Sequence, residues 1–282
     1  MNKFYILGDM GSGSKSQKNV SNAMYEHIKE TNHKGTFVCG LGDNIYECGC
    51  SSNDDVQFED KFEEPYRNIS DDIKFYMCLG NHDYGDIILG GHPIHQINYG
   101  IESQKMGKKW YMPSSYYTFK KGNIEFFVID TNFDEPNYTD DINNQLQYLI
   151  QKINESKAKW KVVYGHHTWR SIAGHGNADE KLEGFLDELL KKATFDVYMC
   201  GHDHNKQVIN MNLHNKDVTL IVCGTGGKVY HDLNNYENLN DSDLIFSSNN
   251  LGYGYCEEMK NKLIFIFYNE KNDIEFIHPI DK

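Results

Sequence analysis

Short apolar runs alternate with longer amphipathic stretches over most of the chain, and this alternation predicts strands separated by helices. Apolar residues spaced three and four apart predict helices at about 17–29, 140–154 and 179–192, with a short helix at about 57–62. This order of elements is typical of an α/β fold. The apolar runs predict strands at 3–7, 36–39, 74–79, 116–120, 124–129, 161–164 and 195–200.

Two regions depart from this alternation. Residues 206–280 contain short apolar runs separated by Asn, Asp and Gly turns, and they are predicted to be all β. Residues 85–115 combine Gly, His and Pro and are predicted to form a surface excursion near the functional site. No repeat or linker divides the 282 residues, so a single domain spanning 1–282 is expected.

Five of the apolar runs end in glycine followed by Asp, Asn or His. The C-terminal ends of strands in layered α/β folds line one edge, where ligand sites gather, and glycine allows the chain to turn sharply there. Asp, Asn and His supply oxygen and nitrogen ligands for Fe, Mn, Zn and similar ions, so the pattern predicts a metal site rather than five ordinary turns. The five pairs are Gly8-Asp9, Gly42-Asp43, Gly80-Asn81, Gly165-His166 and Gly201-His202.

The last of these pairs is extended by a second histidine, His204. Two histidines two residues apart beyond a strand end can serve one metal or two neighbouring metals. Two close metals need a bridging anion, and Asp43 is the central candidate. Metals roughly 3.5–4 Å apart clamp a phosphoryl group and activate water.

Charge and composition narrow the possible partners. The formal net charge is −13, which disfavours binding to nucleic acid, but it is compatible with a small anionic substrate held by metals in a pocket. No segment approaches the roughly 18 apolar residues of a membrane span, and no signal peptide is visible. The protein is therefore expected to be intracellular, or secreted or lysosomal if a leader has been removed.

Seven cysteines are present, and four of them lie inside apolar runs where they are expected to be free and buried. Cys48 and Cys50 lie in a loop, and whether they form disulfides is left open. The Gly- and Ser-rich loop at 11–16 lacks glycine before Lys15, which excludes a nucleotide-binding P-loop.

The full set of motifs resembles the calcineurin-like metallophosphoesterases, and among them the tartrate-resistant (purple) acid phosphatases. The resemblance extends over nearly the whole chain. It implies an α/β, four-layer α/β/β/α sandwich of two mixed sheets. The motifs that carry it are Gly8-Asp9-Met10-Gly11, Gly42-Asp43-Asn44-Ile45-Tyr46, Gly80-Asn81-His82-Asp83, Gly165-His166-His167, Ser171-Ile172-Ala173-Gly174-His175-Gly176 and Gly201-His202-Asp203-His204.

One position separates this chain from many metallophosphoesterases, which begin with an Asp-x-His motif whose histidine is a ligand. Gly11 stands in place of that histidine, and Tyr46, three residues after Asp43, can supply a phenolate instead. A phenolate favours a ferric ion, whose charge lowers the pKa of the phenol. The resemblance thus implies Fe(III) at Asp9, Asp43, Tyr46 and His204, and a divalent ion (Fe, Zn or Mn) at Asp43, Asn81, His166 and His202.

The resemblance also implies the reaction, which is hydrolysis of phosphate monoesters by attack of a metal-bound hydroxide on phosphorus. A small phosphomonoester or a phosphoprotein is the expected substrate. His82 is expected to contact the phosphoryl or leaving-group oxygen, and either His82 or His175 to protonate the departing alcohol. Asp83 and Asp203 are expected to fix turns, and the remaining nearby histidines are not expected to be ligands: His92, His95, His167 and His231.

Two alternatives remain open at this point. One is a phosphodiesterase with a generic metal pair, and the other is a non-catalytic scaffold that kept the fold, as some relatives anchored to parasite membranes have done. The chain also departs from the acid phosphatases in three places. These are the absent leader, the shifted aromatic in Thr168-Trp169-Arg170, and the 85–105 insertion, to which no role is assigned.

Overall fold

The computed structural model describes residues 2–31, 35–85, 91–229 and 233–282. Its helices are α1 (Lys15–Glu30), α2 (Pro93–Lys105), α3 (Ile142–Glu155) and α4 (Glu180–Lys192). Its strands are β1 (Lys3–Leu7), β2 (Phe37–Gly40), β3 (Phe75–Met77), β4 (Trp110–Tyr111), β5 (Tyr117–Lys121), β6 (Ile124–Val128), β7 (Trp160–Tyr164), β8 (Val197–Cys200), β9 (Lys206–Leu213), β10 (Lys216–Cys223), β11 (Ser242–Ser248), β12 (Gly252–Glu258), β13 (Lys262–Asn269) and β14 (Ile274–Asp281).

The strands form two mixed sheets of seven strands each. The first has the order β14-β13-β12-β1-β2-β3-β4, with β1 to β4 parallel and β12 to β14 antiparallel. The second has the order β11-β9-β10-β8-β7-β6-β5, with β6, β7, β8 and β10 parallel. The prediction of two mixed sheets is therefore confirmed.

Aromatic side chains join the two sheets face to face. The ring of Phe126 on β6 makes edge contacts with Phe4 and Phe37 at centroid distances of 5.2 and 5.4 Å. The hydroxyl of Tyr164 on β7 donates to the carbonyl of Tyr76 on β3 at 3.0 Å. Because these side chains are nearly all excluded from water, they supply much of the hydrophobic stabilisation of the sandwich.

The helices cover the outer faces, which completes the predicted four layers. Three of them begin at side chains that cap the first turn: Ser14 accepts from Gln17 N, Asp141 from Asn144 N, and Asp179 from Leu182 N. The buried stripes of α3 and α4 share one apolar cluster with the outer face of the second sheet. The periodicity that predicted these helices is thus the periodicity of their buried faces.

Residues 91–115 are more integral to the fold than the predicted surface excursion. They form α2 and then β4, which adds a parallel strand to the edge of the first sheet through Phe75 and Trp110. Trp110 is fully buried and packs edge-on against Phe58 and Phe62. The prediction of a surface excursion is wrong here, because a Trp-centred aromatic cluster anchors the segment. The short helix predicted at 57–62 is a π-helical turn at Glu59–Glu63.

All seven cysteines are free thiols, as expected for the four within strands, and Cys48 and Cys50 are not joined. Among the described residues, none of the helices is both long and apolar enough to span a bilayer.

Candidate metal centre

The predicted ligands lie in the loops that follow five parallel strands, β1, β2, β3, β7 and β8. Backbone hydrogen bonds tie these loops together across the top of the sandwich. Asp9 N donates to Gly42 O at 3.0 Å, and Gly201 N donates to His166 O at 3.0 Å. Loops that are far apart in sequence thus meet at one rim.

Asp9, Tyr46 and His204 form one compact group, here called the Tyr46 half. The Tyr46 hydroxyl donates to Asp9 Oδ1 at 3.0 Å and lies 3.0 Å from His204 Nε2. His204 Nε2 is also 3.3 Å from Asp9 Oδ1. All three side chains are buried.

Asn81, His166 and His202 form a second group, here called the His202 half. His166 Nε2 lies 3.0 Å from Asn81 Oδ1 and 3.2 Å from His202 Nδ1. His166 Nδ1 is 2.8 Å from the carbonyl of Leu41, which can only accept. That contact places the proton on Nδ1 and leaves the Nε2 lone pair directed into the group.

Asp43 lies between the two halves. One ligand atom each from Asp9, Asp43 and His204 lie within 4.8 Å of one another. On the other side, Asp43 Oδ1 is 3.4 Å from His166 Nε2. The buried carboxylate of Asp43 therefore contacts His166 in the His202 half and lies close to the ligand atoms of Asp9 and His204 in the Tyr46 half.

The donor set fits two metal ions. Two ligand atoms each about 2.1 Å from one cation, and at right angles to each other, lie about 3.0 Å apart. The contacts within both halves are about this long. Several of them join two atoms that both offer lone pairs when they bind a metal, such as His166 Nε2 and Asn81 Oδ1 at 3.0 Å. A buried cluster of such acceptors is stabilised by cations.

Three of the predicted ligands have left-handed backbone conformations. The φ angles are +56° at Asp9, +53° at Asp43 and +68° at His202. Such angles are unfavourable for residues other than glycine and recur at functional sites. Each of the three follows a glycine, and the turn directs its side chain toward the rim.

Close backbone approach explains two glycines of the motifs. A Cβ atom on Gly80 would lie 2.3 Å from Asp43 Oδ1, and one on Gly201 would lie 2.4 Å from Asp9 Oδ2. Any side chain at either position would displace a predicted ligand. The glycines are therefore required by packing against the carboxylates as well as by the turns.

Electrostatics differ among the titratable groups of the site. Burial, with the charges of Asp9 and Asp43, raises the pKa of Tyr46 far above its usual value, so the phenol loses its proton only beside a cation. Burial opposes ionisation of Asp9, but contacts with His204, His166 and Tyr46 bring its pKa below the usual value. Burial, with neighbouring histidines, lowers the pKa of His202, which keeps the imidazole neutral and able to bind metal.

Two further carboxylates hold the loops in place, as expected for Asp83 and Asp203. Asp83 accepts hydrogen bonds from backbone N–H groups on both ligand loops, at 2.9 Å from Asn44, 3.0 Å from Ile45 and 2.8 Å from Gly80. Asp203 accepts from the Ser171 hydroxyl, and from the backbone N–H of His175 at 3.0 Å. Asp83 thereby couples the loop of Asp43 to that of Asn81.

His82 and His175 lie on different sides of the predicted metal ligands. The ring of His82 is half-buried, 4.5 Å from the Tyr46 ring, and its Nδ1 donates to the Glu47 carbonyl at 2.6 Å. The backbone N–H of His82 donates to Asp43 Oδ1 at 3.0 Å. The exposed ring of His175 lies 4.2 Å from the His202 ring.

Two further residues adjoin the predicted ligands: His167, which was not expected to be a ligand itself, and Lys228. His167 contacts the site directly, because its ring lies 4.4 Å from that of His202 while Nδ1 contacts Thr131 Oγ1 at 2.8 Å. Its position after His166 in the motif was the available signal. Lys228 was not singled out at all, yet its ammonium lies 3.6 Å from the centre of the Tyr46 ring.

The other histidines form contacts elsewhere or are not described. His92 accepts from Ile94 N at the start of α2, and His95 contacts Asn53 at 2.9 Å. His231 lies outside the described residues. None of these contacts involves a predicted ligand.

Comparisons with known proteins give the same assignment as the motifs. The model of the Calcineurin-like phosphoesterase family matches residues 2–206. Purple acid phosphatase 4 of Arabidopsis thaliana is 30% identical over 284 residues, covering 94% of this chain and 79% of that protein. Tartrate-resistant acid phosphatase type 5 of Rattus norvegicus is 27% identical over 302 residues, covering 95% and 86%.

Two solved structures share the fold. GAP50, described as the anchor in the inner membrane complex of Plasmodium, has a TM-score of 0.80 at 23% identity, covering 99% of this chain and 88% of its own. Purple acid phosphatase PPD1 from yellow lupin seeds has a TM-score of 0.75 at 18% identity, covering 99% and 53%. The family match covers well over half of the chain, and likeness to the purple acid phosphatases implies a dinuclear metal centre. The buried cluster of Asp9, Asp43 and His204 offers ligand-type atoms for such a centre. The chain belongs to the calcineurin-like phosphoesterase family, and the curated relatives that it resembles are purple and tartrate-resistant acid phosphatases.

Proposed function

We propose that this protein is an acid phosphatase that hydrolyses phosphate monoesters with two metal ions. Asp43 would be shared by both ions. Fe(III) would be held by Asp9, Asp43, Tyr46 and His204, and a divalent Fe, Zn or Mn ion by Asp43, Asn81, His166 and His202. The observation that carries the proposal is the position of Asp43, which has a ligand-type atom within 4.8 Å of those of Asp9 and His204 and lies 3.4 Å from His166 Nε2.

The donor chemistry supports a different ion in each half. Two carboxylates and a phenol surround the first position, a hard and anionic set that matches a trivalent cation. Imidazoles and an amide dominate the second position, where Asp43 supplies the charge, and that set matches a divalent cation. Such a pair supplies Lewis acidity toward phosphoryl oxygens and makes hydroxide available near neutral pH for attack on phosphorus.

His82 and His175 would complete the reaction from the rim. His82 follows the proposed ligand Asn81, and its backbone N–H donates to Asp43. Its ring would be held beside the phosphoryl group or the leaving oxygen. His175 lies on the far side, over His202, and it is exposed enough to exchange protons with water. One of them would give a proton to the departing alcohol.

The substrate would be a small phosphomonoester or a phosphoprotein. The names of the curated relatives, which are acid phosphatases, support a monoester. The rim carries several histidines and one lysine, while the chain as a whole has a net charge of −13. Attraction of a phosphate would therefore be local to the metal centre, and a nucleic-acid backbone would be repelled elsewhere.

Rates on p-nitrophenyl phosphate and bis-p-nitrophenyl phosphate, together with metal content and colour, test the proposal. A violet protein that contains iron and cleaves the monoester faster is the expected result. A colourless, metal-loaded protein that prefers the diester would instead indicate a phosphodiesterase with a generic metal pair. Metal-loaded protein that cleaves neither ester would indicate a non-catalytic scaffold. Asp54→Ala, an exposed change in the 51–55 loop, is the matched control for the preparation.

A further inference from the structure

A lysine ammonium lies against the ring of the proposed tyrosine ligand. Lys228 Nζ is 3.6 Å from the centroid of the Tyr46 ring and 2.8 Å from Glu47 Oε1. At that distance, a cation interacts strongly with an aromatic face. The Lys228 ammonium thus contacts the proposed ligand Tyr46 and forms an ion pair with Glu47, the next residue in the sequence.

Backbone contacts of the residues just before Lys228 fix its position. Gly226 N donates to Gly8 O at 3.0 Å, and the Ser12 hydroxyl donates to Gly227 O at 3.3 Å. A Cβ atom on Gly227 would lie 2.7 Å from Ser12 Oγ. The segment before Lys228 is therefore packed tightly onto the loop of Asp9. The Lys228 side chain is only 23% exposed.

We propose that Lys228 tunes the electronic properties of the Tyr46 ligand and that Glu47 opposes it. This inference rests on the proposed function, because it requires a ferric ion bound by the Tyr46 phenolate. Lys228 would be a positioning residue that acts through Tyr46 and does not touch the substrate. Its effect would come from its positive charge at the ring face.

The direction of the effect follows from the location of the charge. The violet colour of a ferric phenolate arises when light moves an electron from the ring to the iron. A cation at the ring stabilises the electron before the transition more than after it, because the electron moves away. Lys228 would therefore shift the band to shorter wavelength. The carboxylate of Glu47, 2.8 Å from the ammonium, would weaken that shift.

Absorption spectra of iron-loaded variants test this inference. Lys228→Met removes the charge but keeps a chain of similar length over the ring, and we expect the band to move on the order of 10 nm to longer wavelength. Glu47→Gln should move it to shorter wavelength, and Lys228→Arg should restore it. Lys152→Met is the matched control, because Lys152 also lies over a tyrosine, Tyr148, and pairs with Glu155 at 3.6 Å, but on α3.

A second readout separates tuning from a structural role. Loss of the charge should lower the reduction potential of the iron, since the cation favours the added electron. Iron content should stay unchanged in Lys228→Met. A violet wild-type protein whose band and potential are both unchanged in Lys228→Met would overturn this inference alone. An iron-loaded wild-type protein without a violet band would contradict the proposed ferric site, and the inference would fall with it.

Discussion

The Tyr46 half and the His202 half of the proposed metal centre differ in burial. Asp9, Tyr46 and His204 are at most 4% exposed. In the His202 half only His166 is fully buried, whereas Asn81 and His202 are half-buried. A cation in the first half is therefore enclosed by protein, and one in the second half lies nearer to water.

The two halves also differ in charge. With a cation bound, Asp9 and the Tyr46 phenolate would give the first half two anionic groups in addition to Asp43, whereas the second half would offer imidazoles and an amide. Since a buried anionic set binds a cation more strongly, the two ions should differ in how firmly they are held. The proposed centre would thus retain its iron and exchange its partner metal, although both ions would share Asp43.

Removal of the shared carboxylate should have the largest effect. Asp43→Ala would leave both halves incomplete, and we expect kcat/KM to fall by roughly 10³-fold or more, with loss of both ions. Metal analysis and monoester kinetics check this, with Asp54→Ala as the control. If Asp43→Ala keeps two ions per chain, Asp43 is not the bridge.

Chelation should separate the two halves. Brief treatment with a chelator at neutral pH should remove the ion of the more exposed His202 half first, abolishing activity while the violet colour remains. Added Zn²⁺ or Mn²⁺ should then restore activity. Simultaneous loss of colour and activity, in a single kinetic phase, would show that the halves do not differ in retention.

The two rim histidines should affect turnover without changing metal content. Whichever of His82 and His175 is the general acid, its replacement by alanine should lower kcat by about 10²- to 10⁴-fold on a monoester with a poor leaving group. The loss should be smaller for p-nitrophenyl phosphate, whose leaving group needs little protonation. His95→Ala, at α2, is the control. Full activity in both single variants would remove these histidines from the mechanism.

The smallest expected effect concerns stability and a buried carboxylate outside the proposed ligand set. Asp130 accepts from the Tyr84 hydroxyl, and burial raises its pKa from 3.8 to about 6. The folded state then binds this proton more tightly than the unfolded state. Its contribution is therefore complete below about pH 4 and is lost as the pH rises through about 6. We expect the stability of wild type relative to Asp130→Asn to fall by up to about 3 kcal/mol over that range.

Denaturant unfolding at pH 4, 5, 6 and 7 measures the effect of Asp130. The exposed change Asp54→Asn should show no such trend. A stability difference between wild type and Asp130→Asn that stays constant from pH 4 to pH 7 would mean that Asp130 does not titrate with a raised pKa.

The sequence was sufficient to predict the sandwich, through the family resemblance, and to predict which side chains converge at its rim. Strand ends carry a signal of their own, because an apolar run followed by glycine and a ligand-type residue fixes both the turn and its chemistry, as at Asp9 and Asp43. Helices α3 and α4 were predictable because their apolar periodicity is strong and their caps are Asp141 and Asp179.

Two features that the sequence did not indicate, strand β4 and the place of Lys228, depend on contacts between distant segments. Strand β4 has only two residues, and it is held by the packing of Trp110 among aromatic rings from 58–99. Lys228 reaches Tyr46 only because the 224–227 segment packs on the loop of Asp9. In both cases the contacting residues are far apart in sequence, so the local pattern does not predict the contact.

Anomalous diffraction from crystals of the metal-loaded protein, measured at the iron absorption edge and at the edge of the partner metal, would locate both ions relative to Asp43. We expect two peaks roughly 3.5–4 Å apart, with the Asp43 carboxylate between them and the iron peak beside Tyr46. A single peak, or two peaks that do not share Asp43, would show that Asp43 does not bridge a metal pair.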